Sequence, residues 1–210
     1  MKPPEHLYDP TPADPIALVA PFLEASPDWF IIGGLGDGLE WCHARWRWPT
    51  VKLIGVDPDP RAIQAQRVLA WPEESPLLEK ALWYGAGRWP INMGDLNHAS
   101  MHAHAIAGAK DAQSVECLTL SQLNTEYGPF ANAVLWLDVE GCEYEALTGG
   151  QEILAPSVFA LVNIEVRHVD RKAYEVYNLL DYRGYERAYV WFRQWWGHNE
   201  VWVPRGSIRP

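Results

Sequence analysis

Cysteine is scarce in this chain. The three that occur, Cys42, Cys117 and Cys142, are odd in number and far apart, with no CxxC pair to hold zinc or a redox disulfide. That usage predicts a reducing compartment, the cytoplasm. Basic residues are in deficit as well: 17 Lys and Arg stand against 27 Asp and Glu, for a net charge of -10. Such a field repels phosphate backbones and excludes non-specific nucleic-acid binding. Long apolar runs are missing too. No stretch approaches the length of a membrane span, and the opening MKPPEHLYDPTPADP lacks the apolar region of a secretion signal, so a soluble, intracellular protein is expected. Neither internal repeats nor low-complexity tracts are found.

What is present is a chain of 210 residues, 48% hydrophobic, enough to bury one substantial core. Four nearly continuous apolar segments stand out: WFIIGG (29–34), VKLIGVD (51–57), NAVLWLDV (132–139) and VFALVNIEV (158–166). Strands buried on both faces read this way. Helix signals alternate with them. Asp59 and Pro60 open one helix, a second runs from Cys142 to Gly149-Gly150, and Ala173, Val176, Tyr177 and Leu180 stripe a third that ends before Gly184. Alternation of this kind predicts βαβ units and a mostly parallel sheet with helices on both faces. The Trp- and Tyr-rich tail from Tyr185 to Val203, with a Gly197-His198-Asn199 turn, predicts a terminal antiparallel hairpin. The expected organisation is an N-terminal arm and helix over 1–28, then one domain over 29–210 with a lid or insertion at 83–112.

After the first strand comes Gly33-Gly34-Leu35-Gly36-Asp37-Gly38. Glycines suit a tight strand-to-helix turn and let a cofactor approach the backbone. A dinucleotide fingerprint would need a third glycine where Leu39 stands, which weakens a nicotinamide-dependent reductase; Gly34, Gly36 and Gly38 instead suit a nucleoside without a pyrophosphate. Nineteen residues after Gly38, the second strand ends at Asp57-Pro58. An acid there is placed to accept both hydroxyls of a ribose, whereas Asp59 reads as a helix cap.

The segment LDVEGCEYE (137–145) sets several carboxylates where a buried strand gives way to a helix. Ligands in open α/β sheets lie beyond the carboxyl ends of the strands, so Asp138 and Glu140 are expected to face one. Glu143 and Glu145 read equally well as acids of the helix start.

Taken over 136–150, WLDVEGCEYEALTGG resembles the core motif of the FkbM-type methyltransferases, of the form KIDVEGAELEVLKGA. The glycine loop, Asp57-Pro58, VECLTLSQL (115–123) and VNIEV (162–166) extend the resemblance to roughly residues 29–168. It implies a Rossmann-like class I methyltransferase fold with a seven-stranded sheet, S-adenosylmethionine as cofactor, and methylation of a hydroxyl on a sugar, glycolipid or other small molecule. Carried over by position, Gly34, Leu35, Gly36, Gly38, Asp57 and Pro58 would hold the cofactor, with Asp138 beside its sulfonium and amino-acid end. Two positions depart from the pattern: Ile32 stands where an acid is common before the glycine loop, and Trp136 where a lysine precedes the motif.

Methyl transfer to an alcohol needs an aligned oxygen and a base. The candidates are Asp138, Glu140, Glu165 and His168. The same acids with His168 have the chemistry to ligate a hard divalent cation, although their spacing specifies no metal and none is assigned. His98, His102 and His104 form a loose cluster without the glutamate of a zinc motif. Trp195 and Trp196 suit either stacking on an acceptor ring or packing of the hairpin. The opposing functional class is a catalytically degenerate binding or structural module on the same fold.

Overall fold

The computed structural model describes residues 14–68, 75–91, 113–167, 172–191 and 197–208. In chain order the elements are α1 (Pro15–Val19), β1 (Trp29–Gly33), α2 (Leu39–Arg47), β2 (Lys52–Val56), α3 (Pro60–Val68), β3 (Leu77–Leu78), β4 (Ala81–Leu82), β5 (Gly87–Ile91), β6 (Gln113–Leu118), α4 (Leu120–Tyr127), β7 (Ala133–Leu137), α5 (Glu143–Thr148), β8 (Phe159–Arg167), α6 (Ala173–Tyr182), β9 (Tyr185–Trp191) and β10 (Gly197–Pro204). Seven strands form one sheet in the order β3-β2-β1-β7-β8-β10-β9. Every neighbouring pair from β3 to β8 is parallel, and β10 runs antiparallel to both β8 and β9. This is the class I methyltransferase architecture, with the terminal hairpin in the expected place.

The continuous apolar runs are explained by a core on each face. Ile31, Ile54, Leu135, Leu137, Val162 and Ile164 pack with Leu120, Leu123, Ala146, Leu147, Val176 and Leu180 of α4 to α6. Phe30, Ile32, Leu53, Val134 and Trp136 point the other way, onto Ile16, Trp41, Ala44 and Ile63 of α1 to α3. Alternate residues of one strand therefore enter different layers, and neither set can be polar. Trp136 lies between Phe30 and Trp191, with ring centroids 6.1 and 5.8 Å away, so this departure from the motif is a core aromatic.

One expectation is corrected. Gly197, His198 and Asn199 are not a turn but the first residues of β10, paired with Arg167, Val166 and Glu165. The reason is inside the sheet. Asn163 Nδ2 donates to Asn199 Oδ1 at 3.1 Å and Trp191 Nε1 donates to Asn163 Oδ1 at 3.0 Å, all buried, so a turn-forming residue is held in a strand by its side chain. The span expected as a lid or insertion, 83–112, is described as far as residue 91. β5 pairs antiparallel with β6 in a second sheet of order β4-β6-β5. As an edge strand β5 accommodates Pro90, which has no N–H to offer a further neighbour. Residues 92–112, including His98, His102 and His104, lie outside the described residues, as do His168, Trp195 and Trp196.

Candidate active site

The chain leaves β1 for β2 on one side and later returns on the other side as β7. That reversal opens a crevice at the carboxyl ends of the three strands. Gly34 N donates to Val56 O and Asp138 N donates to Gly33 O, each at 2.9 Å, which ties the glycine loop to both neighbours. Gly34, Gly36 and Gly38 all have positive φ, at 83°, 48° and 80°. At Gly34 a Cβ would fall 1.8 Å from the Asp138 carbonyl oxygen, so only glycine lets the loop lie against the tip of β7. Gln66 of α3 reaches back under the loop, its Nε2 donating to Asp37 O at 3.0 Å.

Asp57 stands at the tip of β2 with its carboxylate turned to that loop. Oδ2 accepts from Leu35 N at 2.7 Å and Gly36 N at 3.3 Å, and Oδ1 accepts from Asp59 N at 2.7 Å. Burial pushes its carboxyl up to about 6 against the pull of these amides. A ribose reaching Asp57 would share or exchange the loop amides. Asp59 is the helix cap expected, accepting from Arg61 N at 2.8 Å. The Leu35 side chain belongs to the core, where it lies over Gly55. Pro58 is half-buried beside Asp57.

On the other side of β1, the turn after β7 is built on left-handed backbone: φ is 58° at Glu140 and 90° at Gly141. A non-glycine residue in that region stores strain of the kind that gathers at functional sites. Glu143 fixes the turn, its Oε1 accepting from Val139 N at 3.0 Å and Gly141 N at 3.3 Å. Glu145 pairs with Lys172 instead. Glu140 and Glu165 converge on one cation: Arg167 Nη2 lies 2.9 Å from Glu140 Oε2 and Nε lies 3.7 Å from Glu165 Oε2. Burial pushes the Glu140 carboxyl up to about 7 and that of Glu143 to about 8, and the charge of Asp138 pushes both the same way. Glu165, almost wholly buried, is raised by burial first and then by Asp138, Glu143 and Glu140, with Arg167 opposing. Asp138 is thus the hub of a desolvated group of acids. No three His, Cys, Asp or Glu side chains among the described residues are grouped to hold a metal ion.

Comparison with known proteins decides what this crevice belongs to. Residues 47–187, about two thirds of the sequence, match the Methyltransferase FkbM domain. The chain belongs to that family. A solved FkbM methyltransferase from Methylobacillus flagellatus KT superposes with a TM-score of 0.65 at 13% identity, over 94% of this chain and 49% of that one. The chain therefore spans about half the length of that relative. Precorrin-6y C5,15-methyltransferase from Geobacter metallireducens GS-15 gives 0.47 at 11% identity over 89% of this chain and 85% of that one. A SAM-dependent methyltransferase from Aquifex aeolicus gives 0.45 at 12%, over 95% and 96%. No curated protein matches the sequence.

The cofactor that goes with the FkbM family is S-adenosylmethionine, and the crevice fits it on two observations. The glycine cradle at Gly34 admits no Cβ, and the acids around Asp138 suit the cationic methionine end. The structure brings Gly34, Gly36, Gly38, Asp57, Pro58 and Asp138 to one edge of the sheet, with Glu140 and Glu165 next to Asp138. Two residues in this crevice were missed by reading the sequence. Gln66 has a legible signal, a polar side chain on the buried stripe that Ala62 and Ile63 define on α3. Glu40, in the first turn of α2, has none, because only the fold carries it towards Asp138.

Proposed function

We propose that this chain is an S-adenosylmethionine-dependent methyltransferase that transfers the methyl group to a hydroxyl oxygen of a small-molecule or carbohydrate acceptor. The carrying observation is the set of desolvated carboxylates around Asp138, at the switch point of the sheet and against the glycine cradle. Bound in this crevice, the cofactor supplies an electrophilic methyl on a positively charged sulfur. Gly34, Gly36 and Gly38 let its adenosyl end lie on the backbone, Asp57 shapes that loop at the ribose side with Pro58 beside it, and Asp138 stands at the cationic end. Transfer is an in-line displacement in which the acceptor loses a proton.

Glu140 and Glu165 are the bases this reading favours. Their raised proton affinity brings a carboxylate nearer the range useful at neutral pH, and Arg167 orients both. His168, at the end of the same strand in sequence, remains a candidate on sequence alone. The test is methyl transfer from labelled cofactor to a panel of sugars, glycolipids and phenols, read by mass spectrometry. Asp138→Asn is expected to fold as the parent and to lose turnover by about 100-fold or more; unchanged turnover removes Asp138 from the mechanism. A second reading, a binding module without chemistry, is favoured by one observation: both carboxylate bases are engaged by Arg167. Its signature is cofactor binding without transfer to any acceptor of the panel.

A further inference from the structure

Twelve tryptophans are many for a chain of this length, and two of them meet a tyrosine where β4 turns into β5. Trp83, Tyr84 and Trp89 form a closed triangle of rings. Their centroids are 5.3 Å apart for Trp83 and Tyr84, 5.9 Å for Trp83 and Trp89, and 5.4 Å for Tyr84 and Trp89. Tilted and edge-to-face contacts of this kind fix each ring against the others. The backbone is held as well: Trp83 N donates to Leu118 O at 3.0 Å, and a Cβ on Gly149 would fall 2.1 Å from Trp83 O. The chain is thereby clamped between the end of β6 and the end of α5.

Its neighbours place the triangle beside the crevice. Leu82, the preceding residue, has Cδ1 2.6 Å from where a Cβ on Gly33 would stand, at the tip of β1 where the glycine loop begins. Trp83 and Trp89 share an apolar cluster with Val139 and Cys142, which bracket Glu140 and Gly141 in the acid-bearing turn after β7. Packing explains only part of this arrangement. Trp83 is buried, but Trp89 is half-buried and Tyr84 is 49% exposed, so aromatic surface stays open to a ligand. The indole Nε1 of Trp83 is shielded from solvent and donates to no acceptor among the described residues. An orphaned donor costs about 1–3 kcal/mol, which a cluster built for packing alone avoids by using Phe.

We infer that Tyr84 and Trp89, braced by Trp83, are the stacking platform of an acceptor subsite, and that this subsite takes a sugar ring. The inference rests on the methyltransferase reading above. A pyranose has an apolar C–H face ringed by hydroxyls. One such molecule lies on the aromatic rings, offers an oxygen to the indole N–H and turns a hydroxyl towards the carboxylates of the adjoining turn. A phenol has the ring face but one oxygen, against an indole donor and a set of acids.

Fluorine NMR of the chain labelled with fluorotryptophan tests this, the Trp83 and Trp89 resonances being assigned with Trp83→Phe and Trp89→Phe. The probes are the methyl glycosides of glucose, galactose, mannose, rhamnose and fucose, with phenol for comparison, titrated with and without S-adenosylhomocysteine. At least one glycoside is expected to shift the Trp89 resonance saturably. Tyr84→Ala should weaken that glycoside by about threefold to tenfold, the range of an aromatic contact, and leave the affinity for S-adenosylhomocysteine within about twofold. Tyr84→Phe should bind both as the parent does. The inference is overturned if no glycoside moves the Trp89 resonance, if phenol alone moves it, or if Tyr84→Ala binds the glycoside unchanged. The first two outcomes are read on the parent chain, so they stand even where a variant fails to fold. A glycoside that binds while S-adenosylhomocysteine does not would leave a sugar site and remove its acceptor role, because the cofactor reading would have failed. The reverse result strikes the subsite alone.

Discussion

Replacing Asp57 by Ala tests whether this residue builds the crevice or merely lines it. The carboxylate accepts three backbone amides, from Leu35 at 2.7 Å, Asp59 at 2.7 Å and Gly36 at 3.3 Å. The first two are buried, and each loses its acceptor in Asp57→Ala at about 1–3 kcal/mol. The third is long and half-exposed, so water replaces it at little cost. Part of the loss is offset, because burial already pushes this carboxyl up to about 6 and the substitution removes a poorly solvated charge. The net destabilisation is expected to be about 2–4 kcal/mol, which for a chain of this size lowers Tm by roughly 5–15 °C. Urea unfolding without cofactor, followed by circular dichroism, measures it directly. Asp57→Asn keeps an oxygen for Leu35 and Gly36 and turns its amide towards Asp59 N, so it should fall between parent and Ala. A loss below about 0.5 kcal/mol in Asp57→Ala would show that the loop holds its shape unaided and would refute the reasoning.

Gly34→Ala places a Cβ 1.8 Å from the Asp138 carbonyl at a φ of 83°, and neither strand end can yield without breaking its pairing. Loss of cofactor binding is expected by equilibrium dialysis, together with at least ~1–2 kcal/mol of stability from the left-handed backbone alone; full binding would mean the loop can lift off β7. Stability without cofactor should decline with rising pH. Glu40 and Glu140 rise from 4.5 to about 7 and Glu143 from 4.5 to about 8, so the folded chain keeps protons that the unfolded chain releases. Their contribution is complete below about 4.5 and is lost as pH passes 7 to 8. Urea midpoints at pH 5.5 and 8.5 check this; a flat or rising trend would show that the acids are better solvated than the structure indicates.

The central strands are legible because burial on two faces leaves no room for polar residues: Phe30 and Ile31 of β1 enter different cores, so the run had to be continuous. The glycine loop and the acids after β7 are legible for the opposite reason, as residues that no core would select. What escaped reading was set by contacts distant in sequence. Asn199 looks like a turn residue until Asn163 is found opposite it, and β5 is disguised by Gly87 and Pro90, which an edge strand tolerates. Ile32 and Trp136 proved to be core residues, paired with each other across β1 and β7.

The antiparallel strand β10 lies between β8 and β9, although it is made after both. Until it arrives, β9 has no strand partner among the described residues, and the buried Glu200, which takes bonds from Arg187, Tyr177 and Trp202, is not yet in place to receive them. During synthesis the growing chain must therefore carry an open sheet edge at β8 until residue 204 has emerged. A chain in which β10 has not yet docked presents a sheet margin suited to capture a strand from another chain.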